Sequence, residues 1–383
     1  MSSSHSSYTH GNIHAKDGAF VNSGIMKFHD CENVYMAGSN SSKAKERNSQ
    51  LENSKKERVN VLSIDGGGVR GIVPITVLEN LYELTGKEPY QLFDLICGTS
   101  TGGILAIMLG ILKVPIKDCR TIYEELSKEV FERYAIKRAI NFFSSGGVRH
   151  NGDNLESCAK RIIQQYTGDE NIQMSQVRNA IKVFVVANQG ENQCLANKRL
   201  FRNYSVFDPA KGPDCAVWQA IRATSAAPTF FKEIIIDGIK YFDGGIGANN
   251  PSEIALAETE KIWPEAKVNC LLSLGTGTAP ISAINAGIYG ISKLKTWLLD
   301  TATDCKEVDI RLRQSGHRSL SNSIDESYFR FELEAGAGIG GMDDTAIIRN
   351  LRIATGDYLA HPAQMKSLEN LKVRLSKTPA SII

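Results

Sequence analysis

From residue 58 onward, the chain alternates short apolar runs with stretches of helical periodicity. The runs have strand length and are bounded by turn-forming residues, whereas the stretches between several of them have the three- and four-residue spacing of helices. Strands that alternate with helices are typical of an α/β fold with a mainly parallel central sheet. The runs that predict strands are Arg58–Ile64, Leu92–Cys97, Lys182–Ala187, Glu233–Ile236, Lys240–Phe242, Lys267–Leu274 and Tyr328–Leu333.

Residues 1–57 have a different composition, rich in Ser, Asn, His and Lys and poor in aliphatic residues. Such a segment cannot bury enough apolar surface to offset the entropy of ordering, so it is predicted to be a disordered tail. The remainder, 58–383, is predicted to form one domain with a core over about 58–260 and an extension over about 261–383. The Gly-rich segment Ser144–Asn154 is interpreted as a connector, with a hinge for a mobile cap as the alternative.

No segment of the sequence predicts secretion or a membrane span. The stretch Met1–His14 is polar and lacks the apolar region of a signal peptide. The longest apolar stretch, Ile104–Ile116, is interrupted by Lys113 and Pro115 and is too short to cross a bilayer. We therefore expect a cytoplasmic protein without a transmembrane segment, whose contact with membranes is peripheral.

Composition and charge narrow the class of partner. Hydrophobic residues make up 42% of the chain and charged residues 22%, which is typical of a soluble globular protein. The formal net charge of +2 gives no basic footprint for nucleic acid, so that class of partner is excluded. The eight cysteines form no C-x-x-C pair and no metal-ligand spacing, which indicates reduced thiols. Neither a metal nor another cofactor is expected.

The strongest chemical signal is Ser100, which lies in Gly98-Thr-Ser-Thr-Gly102. The apolar run before it predicts a strand, and Gly103–Leu109 after it predicts a helix. Strand, G-x-S-x-G and helix together are typical of a nucleophile elbow, a strained turn that lifts a serine hydroxyl clear of the sheet. The flanking glycines are needed because a side chain there would collide with the neighbouring strand or helix. A serine hydrolase is therefore predicted, with a chance match in a Gly- and Ser-rich loop as the alternative.

A second Gly-rich segment, Asp65-Gly-Gly-Gly-Val-Arg-Gly71, follows the first predicted strand and opens a helix. As G-x-G-x-x-G it matches the dinucleotide fingerprint, but that pattern alone is weak. Acyl transfer by a serine needs preorganised backbone donors for the oxyanion, and consecutive glycines at a strand-to-helix turn can supply them. The other interpretation is a tight turn that needs glycine only for its dihedral angles. The predicted oxyanion hole consists of the amides of Gly66, Gly67 and Gly68, with Arg70 holding or polarising the loop.

No histidine stands at a position in the sequence that is typical of the base that activates a catalytic serine. Four of the seven histidines lie in the tail, and none of the other three follows a strand in a Gly-rich loop. Asp243 does follow a short predicted strand and precedes two glycines, and a buried aspartate of raised pKa can take a proton directly. This predicts a Ser100–Asp243 dyad, with a plain turn at Asp243 as the alternative. Asp237, in Ile-Asp-Gly-Ile, is instead assigned to a hairpin turn.

Two further stretches are candidates for lipid contact. Ile281–Leu298 has apolar residues at helical spacing with flanking lysines, which is compatible with an interfacial helix, although packing onto its own core is favoured. Tyr123–Phe143 mixes apolar and basic residues. It is compatible with a lid over the mouth of the active site, although a solvated helix is favoured.

Taken in order, Asp65–Gly71, Gly98–Gly102 and Asp243–Gly245 resemble the motifs of the patatin-like phospholipase family. The likeness covers about residues 58–355, and three ordered motifs are far more specific than one. Leu84–Lys87 and Gln91–Asp94 look most like the gamma type of calcium-independent phospholipase A2. Further segments that share the likeness are Arg222–Phe231, Asn249–Pro251, Ser273–Gly277 and Met342–Asp344.

This resemblance implies a three-layer α/β sandwich, with a mostly parallel sheet flanked by helices, related to the α/β-hydrolases. It implies Ser100 as nucleophile, Asp243 as its dyad partner and the glycine loop as oxyanion hole, in an enzyme that cleaves acyl esters of glycerophospholipids without metal. Phospholipid at a membrane surface is the implied partner. The alternatives are a non-catalytic lipid-binding protein and a nucleotide-binding protein that uses the same loop. Acyl position, head group, transacylase activity and oligomeric state stay open.

Overall fold

The structure is a computed structural model that describes most of the chain between residues 56 and 376. The predicted tail lies almost wholly outside the described residues, as do Ile281–Leu298, most of Ser144–Asn154 and the later half of Tyr123–Phe143. The described ranges are 56–132, 152–177, 181–190, 197–208, 212–227, 231–277, 304–314, 317–320, 323–334, 342 and 344–376.

A single mixed sheet runs through the described residues. Its eight strands are β1 (Arg58–Ile64), β2 (Leu95–Thr99), β3 (Lys182–Gln189), β4 (Asn197–Arg202), β5 (Ile234–Ile236), β6 (Ile239–Asp243), β7 (Lys267–Leu274) and β8 (Tyr328–Phe331). The order across the sheet is β5-β6-β3-β2-β1-β7-β8, and β4 pairs with β3 off this path. The strands β3, β2, β1, β7 and β8 pair in parallel, whereas β4 and β6 run antiparallel to β3 and β5 runs antiparallel to β6. The prediction of a mostly parallel sheet is confirmed.

Helices cover both faces of the sheet, as the alternation of side chains along the strands requires. Val61 and Leu95 point into one apolar cluster, whereas their neighbours Leu62 and Ile96 point into the other. Since both clusters are buried, the fold has three layers, as predicted. No helix of the described residues is both long enough and apolar enough to cross a bilayer.

The helices and helical turns between the strands have the following bounds. They are α1 (Ile72–Thr85), α2 (Pro89–Leu92), α3 (Thr101–Ala106), α4 (Ile116–Ser127), α5 (Asp153–Thr167), α6 (Val217–Thr224), α7 (Gly245–Ala248), α8 (Ser252–Ile262), α9 (residues 304–314), α10 (Ile324–Ser327), α11 (Ile348–Ala360) and α12 (Pro362–Ser376). Short 3₁₀ turns occupy Gly68–Gly71, Met174–Gln176 and Thr345–Ile347, and π-helical turns extend α3 and α4 over Ile107–Ile111 and Lys128–Glu132.

The end of β2 and the end of β6 meet along one edge of β3. Thr99, the last residue of β2, pairs with Val186, and the next residue of β3, Ala187, pairs with Asp243 of β6. The strand β4 pairs with this part of β3 as well, so it must occupy the opposite edge. The strands β2 and β6 therefore lie end to end along the same edge of β3 and run toward each other. This brings Ser100, the residue after Thr99, close to Asp243, the last residue of β6.

Two elements differ from the sequence-based expectation. The predicted strand Leu92–Cys97 begins only at Leu95, because Pro89 starts a short helix that extends to Leu92. The strand β4 was not predicted, since its sequence, Asn-Lys-Arg-Leu-Phe-Arg, opens with polar and charged residues. Its two apolar side chains, Leu200 and Phe201, are nevertheless buried, and its pairing with β3 fixes the strand.

Candidate active site

Ser100 occupies the sharp turn between β2 and α3. Its φ of 54° and ψ of −124° lie in a region that residues other than glycine rarely adopt. The flanking glycines are required by close approach: a Cβ on Gly98 would lie 2.0 Å from the carbonyl oxygen of Gly102, and a Cβ on Gly102 would lie 2.2 Å from that of Ile64. The turn thus has the geometry that the motif predicts, a strained serine at the start of a helix.

The backbone of the elbow is anchored by Thr224, the last residue of α6. The Ser100 amide donates to Thr224 Oγ1 at 2.9 Å, and the Thr224 hydroxyl donates to the Val186 carbonyl of β3 at 2.7 Å. The neighbouring Thr99 hydroxyl donates to the carbonyl of Ala248 at 2.7 Å. These bonds tie the strained turn to β3 and α7, so the serine is held in place by residues far away in the sequence.

Asp243 ends β6 and is completely buried. Its Oδ1 accepts the Gly245 amide at 2.7 Å, whereas Oδ2 has no full hydrogen bond within the described part of the chain. Burial raises the pKa of Asp243 to about 7, while the Ser100 hydroxyl and the Gly245 amide, both interacting with the carboxylate, oppose the rise. The contact between the Ser100 hydroxyl and Asp243 is therefore looser than an ideal hydrogen bond.

The arrangement offers Asp243 as the group next to the serine, and no described histidine competes with it. His317 contacts Ser319 and faces Glu260, and the ring of His361 accepts the amide of Ala363. His150 lies outside the described residues. A buried carboxylate with a pKa near neutrality can take up and return a proton at physiological pH, as a general base and acid must.

The glycine loop lies directly against the elbow. A Cβ on Gly66 would come within 3.1 Å of the Ser100 Cβ. The Gly66 amide donates to the Asn249 carbonyl at 3.3 Å, so it supports the loop itself, unlike the oxyanion role expected of it. The amides of Gly67 and Gly68 have no partner among the described residues, which leaves two adjacent donors for an oxyanion.

The carbonyl groups of the loop are held from behind, which fixes the direction of its amides. The Gly68 carbonyl accepts the Thr101 hydroxyl at 2.8 Å and also the hydroxyl of Tyr123. The buried Arg70 donates from Nε to the Gly67 carbonyl at 3.3 Å. Gly68 has a φ of +57°, and a Cβ there would lie 2.2 Å from the Met342 carbonyl oxygen. Only glycine fits such a position without strain or collision.

A buried ion pair supports the start of the loop. Asp65 accepts a hydrogen bond from Arg330 Nη2 at 2.6 Å, and Arg330 also donates to Ser273 Oγ at 2.8 Å and pairs with Glu332. Glu332 in turn accepts the Gly277 amide at 2.8 Å. Asp65, which lies between the end of β1 and the glycines, is thus fixed to Arg330 of β8, on the other side of β7.

A pocket opens at Ser100 and is mainly apolar. Its walls come from the elbow, α3, α4, α5 and the segment that leads into β5. A pocket with one reactive hydroxyl and apolar walls suits an acyl chain whose carbonyl carbon lies at the serine. Its lining residues are Gly68, Ser100, Thr101, Ile104, Tyr123, Leu126, Val130, Leu155, Ser225, Ala227, Phe231 and Met342.

The structure brings together all the predicted site residues and adds some that the sequence analysis missed. Thr224 lies in the segment that carried the family resemblance, but no rule assigns its hydroxyl to the amide of a distant serine. Arg330 was missed as well, because a single arginine in a strand carries no chemical signal until its carboxylate partners are known. Asn249, Thr276 and Tyr123 support the glycine loop from similarly distant positions.

Comparison with known proteins places the site in context. A family model described as patatin-like phospholipase matches residues 62–256. The calcium-independent phospholipase A2-gamma of Mus musculus is 36% identical over 281 residues, which cover 71% of this chain and 34% of that protein. The phospholipase A I of Arabidopsis thaliana is 32% identical over 329 residues, which cover 72% of this chain and 24% of that protein. The chain thus spans about a third or less of the length of these relatives.

Solved structures add little to this comparison. The crystal structure of VipD from Legionella pneumophila matches with a TM-score of 0.39 and 12% identity, covering 81% of this chain and 67% of that one. A likeness of this size carries no argument about function. The family model and the sequence relatives are the informative comparisons.

Proposed function

Because this chain belongs to the patatin-like phospholipase family, we propose that it is a calcium-independent phospholipase A that hydrolyses acyl esters of glycerophospholipids. The observation that carries the proposal is a completely buried carboxylate, Asp243, beside the strained serine of an elbow. The apolar pocket at Ser100 supports a lipid acyl group as the substrate. The names of the two relatives, a calcium-independent phospholipase A2 and a phospholipase A, support the same reaction.

In the proposed mechanism, Asp243 takes the proton of the Ser100 hydroxyl while the serine oxygen attacks the ester carbonyl carbon. The carbonyl oxygen becomes an oxyanion and accepts the amides of Gly67 and Gly68. When the tetrahedral intermediate collapses, the ester C–O bond breaks, and the leaving lysophospholipid oxygen takes the proton from Asp243. Water then attacks the acyl-serine with Asp243 again as base, which releases a fatty acid and restores the serine.

The strain of the elbow and the burial of the carboxylate have separate roles in this proposal. The fixed backbone of Ser100 lets the hydroxyl meet the substrate carbonyl without a conformational search, which lowers the entropic part of the barrier. The raised pKa of Asp243 makes the carboxylate a stronger base than an exposed aspartate. Deprotonation of a serine hydroxyl is thereby favoured without a histidine.

We further propose that the protein works in the cytoplasm and reaches its substrate by peripheral contact with membranes. The site lies at the carboxyl ends of β1 and β2, where the parallel strands of the sheet present their loops to a substrate. A phospholipid whose head group stays at the bilayer surface can enter such an edge with its acyl ester.

The test is the analysis by mass spectrometry of products from mixed phospholipid vesicles in the presence of a calcium chelator. The wild type should release free fatty acid and lysophospholipid, and Ser100→Ala should release neither. Products that require calcium, or that persist in Ser100→Ala, would contradict the proposal. If folded wild type binds vesicles without releasing product, a non-catalytic lipid-binding protein is the better description. Tight binding of a nucleotide without esterase activity would instead favour the nucleotide-binding alternative.

A further inference from the structure

The hairpin formed by β5 and β6 stands at the border of the sheet next to the active site. Its turn consists of Asp237 and Gly238, which both have positive φ values, 50° and 76°. Two consecutive residues of this kind make the tight turn whose twist matches that of paired strands. The role predicted for Asp237 in a hairpin turn thus agrees with the geometry, and the hairpin has a rigid tip.

The tip extends beyond the carboxyl ends of the parallel strands, which is the end of the sheet where Ser100 lies. The parallel strands end at this edge, and β3 runs on past the end of β2 to pair with β6. Since β6 runs antiparallel to β3, its first residues lie farther out than Asp243. At the usual rise per residue, Gly238 lies about 17 Å beyond Asp243 along the strand direction. The hairpin therefore projects past the catalytic residues rather than along the opposite edge.

The side chains near this tip are unusually apolar for an exposed turn. Ile235 is 58% exposed and Ile239 is 37% exposed. The cross-strand pairing places them on opposite faces of the hairpin, since Ile235 pairs with Lys240 and Ile239 with Ile236. A single exposed isoleucine needs no explanation, but two on both sides of a projecting tip form an apolar wedge.

Basic side chains lie on this wedge and on the strand beyond β3. Lys240 is exposed on the hairpin, Lys232 is exposed just before it, and Lys198 is exposed on β4, which pairs with the other edge of β3. Burial raises the pKa of Tyr241 in β6, and Arg199 lies close enough to oppose that rise. Lys240 pairs with Glu233 at 3.7 Å, and the carboxylates of Asp237 and Asp214 lie in the same region, so the four cations exceed the three carboxylates by one charge. An apolar tip with basic neighbours complements a surface that is negatively charged outside and apolar beneath, which describes an anionic bilayer.

We propose that the β5–β6 hairpin docks the protein on anionic phospholipid membranes by inserting Ile235 and Ile239 below the head groups. The proposal rests on the proposed function in that the bilayer also supplies the substrate. Phe231 lines the pocket and leads through Lys232 directly into the hairpin. Insertion of the tip would therefore place the mouth of the pocket at the membrane surface, with the acyl ester within reach of Ser100.

The first test is binding to vesicles, measured by flotation of the full-length chain in the Ser100→Ala background so that no lipid is consumed. Vesicles contain phosphatidylcholine alone or phosphatidylcholine with phosphatidylglycerol. Adding Ile235→Glu should weaken binding to anionic vesicles by about tenfold or more, since it replaces an inserted apolar side chain by a charge. The matched control is Val373→Glu. Val373 is 50% exposed. It lies far from the hairpin, because the next residue, Arg374, donates to Asn269 near the start of β7, at the opposite end of the strands from Ser100.

The pair of variants separates the proposal from a general effect of added charge. Val373→Glu should bind as the parent does, and Lys232→Glu with Lys240→Glu should weaken binding to anionic vesicles much more than to neutral ones. Equal binding of Ile235→Glu and the parent, with both folded by circular dichroism, would overturn the proposal. Ile239→Glu is the second variant if Ile235→Glu does not fold.

A second readout distinguishes failure of this proposal from failure of the proposed function. In the Ser100 background, Ile235→Glu should lose hydrolysis of vesicle phospholipid while it retains hydrolysis of a soluble short-chain ester. Loss of both activities in a folded variant would contradict a docking role. If the wild type hydrolyses neither substrate, the proposed function fails, whereas the vesicle binding still decides the role of the hairpin.

Discussion

Replacing Asp243 by asparagine should abolish activity and at the same time stabilise the protein at neutral and alkaline pH. The carboxylate is completely buried, and burial raises its pKa from 3.8 to about 7. The folded state therefore resists ionisation of this group, and an amide of the same shape removes that cost. Opposite effects on activity and stability are expected where a site is built for chemistry rather than for stability.

The size and sign of the effect follow from the pKa shift. A shift of about 3 units corresponds to about 4 kcal/mol, at 1.36 kcal/mol for each unit. Below pH 4, Asp243 is protonated in both the folded and unfolded states, so ionisation costs the folded state nothing. As the pH rises toward 7, the unfolded chain releases this proton while the folded protein retains it, so the wild type loses stability. Above about pH 7 the cost is complete and constant.

The measurement is the free energy of unfolding by urea at pH 5, 6, 7 and 8, followed by circular dichroism. The advantage of Asp243→Asn over the wild type should grow between pH 5 and 7 by at most about 1.4 kcal/mol for each pH unit, and then level off. The amide introduces a second N–H group that needs an acceptor, which lowers the gain by the same amount at every pH. The change with pH is therefore the decisive quantity.

Asp237→Asn is the matched control, because it makes the same chemical change at an exposed aspartate whose positive φ asparagine also tolerates. It should alter neither the activity nor the change of stability with pH. A difference between Asp243→Asn and the wild type that does not vary from pH 5 to 8 would refute the assignment of a buried carboxylate with a raised pKa. Retained hydrolysis by Asp243→Asn would refute its role as the base.

Three further predictions follow from other contacts of the site. First, kcat/KM should fall about tenfold for each pH unit below about pH 7, because Asp243 must be ionised to take the serine proton, and a flat profile from pH 5.5 to 8 would contradict this. Second, Thr224→Val should lower kcat and cost about 1–3 kcal/mol of stability, since it leaves the buried amide of Ser100 unpaired. Thr224→Ser, which keeps the hydroxyl, should restore both the rate and the free energy of unfolding. Third, Arg330→Met should cost about 3–5 kcal/mol in urea unfolding, because it leaves the Asp65 carboxylate buried without its partner. Arg330→Lys should recover part of that loss, and an unchanged stability of Arg330→Met would show that the pair does not hold the loop.

Much of the fold was predictable because its central strands are short, apolar and almost wholly buried. The runs that form β1, β3 and β7 are identified by hydrophobicity alone, since both faces of a covered sheet need apolar side chains. The strand β4 could not be found in this way, because Asn197, Lys198 and Arg199 face solvent or polar groups. Its assignment depends on the pairing with β3, and the local pattern of apolar and polar residues does not predict pairing between distant segments.

The candidate site shows the same division between local and distant information. Ser100 and Asp243 stand in motifs whose glycines serve tight turns, so their positions could be proposed from the sequence. The hydrogen-bond partner of each amide in the glycine loop could not be proposed from the sequence. The Gly66 amide, for example, donates to the carbonyl of Asn249, which is far away along the chain. Which backbone groups stay free for chemistry depends on the whole fold.

The position of β7 between β1 and β8 has a consequence for the folding of the chain during its synthesis on the ribosome. The strand β1 pairs with β2 on one side and with β7 on the other, and Asn60 and Asn269, which bond to each other, are 209 residues apart. While the chain grows, the backbone groups along one edge of β1 stay unpaired until β7 has left the exit tunnel. An open edge of this kind recruits other strands and promotes aggregation. We therefore expect the nascent chain to depend on chaperones, and the proposed active site to form only after β7 has been synthesised.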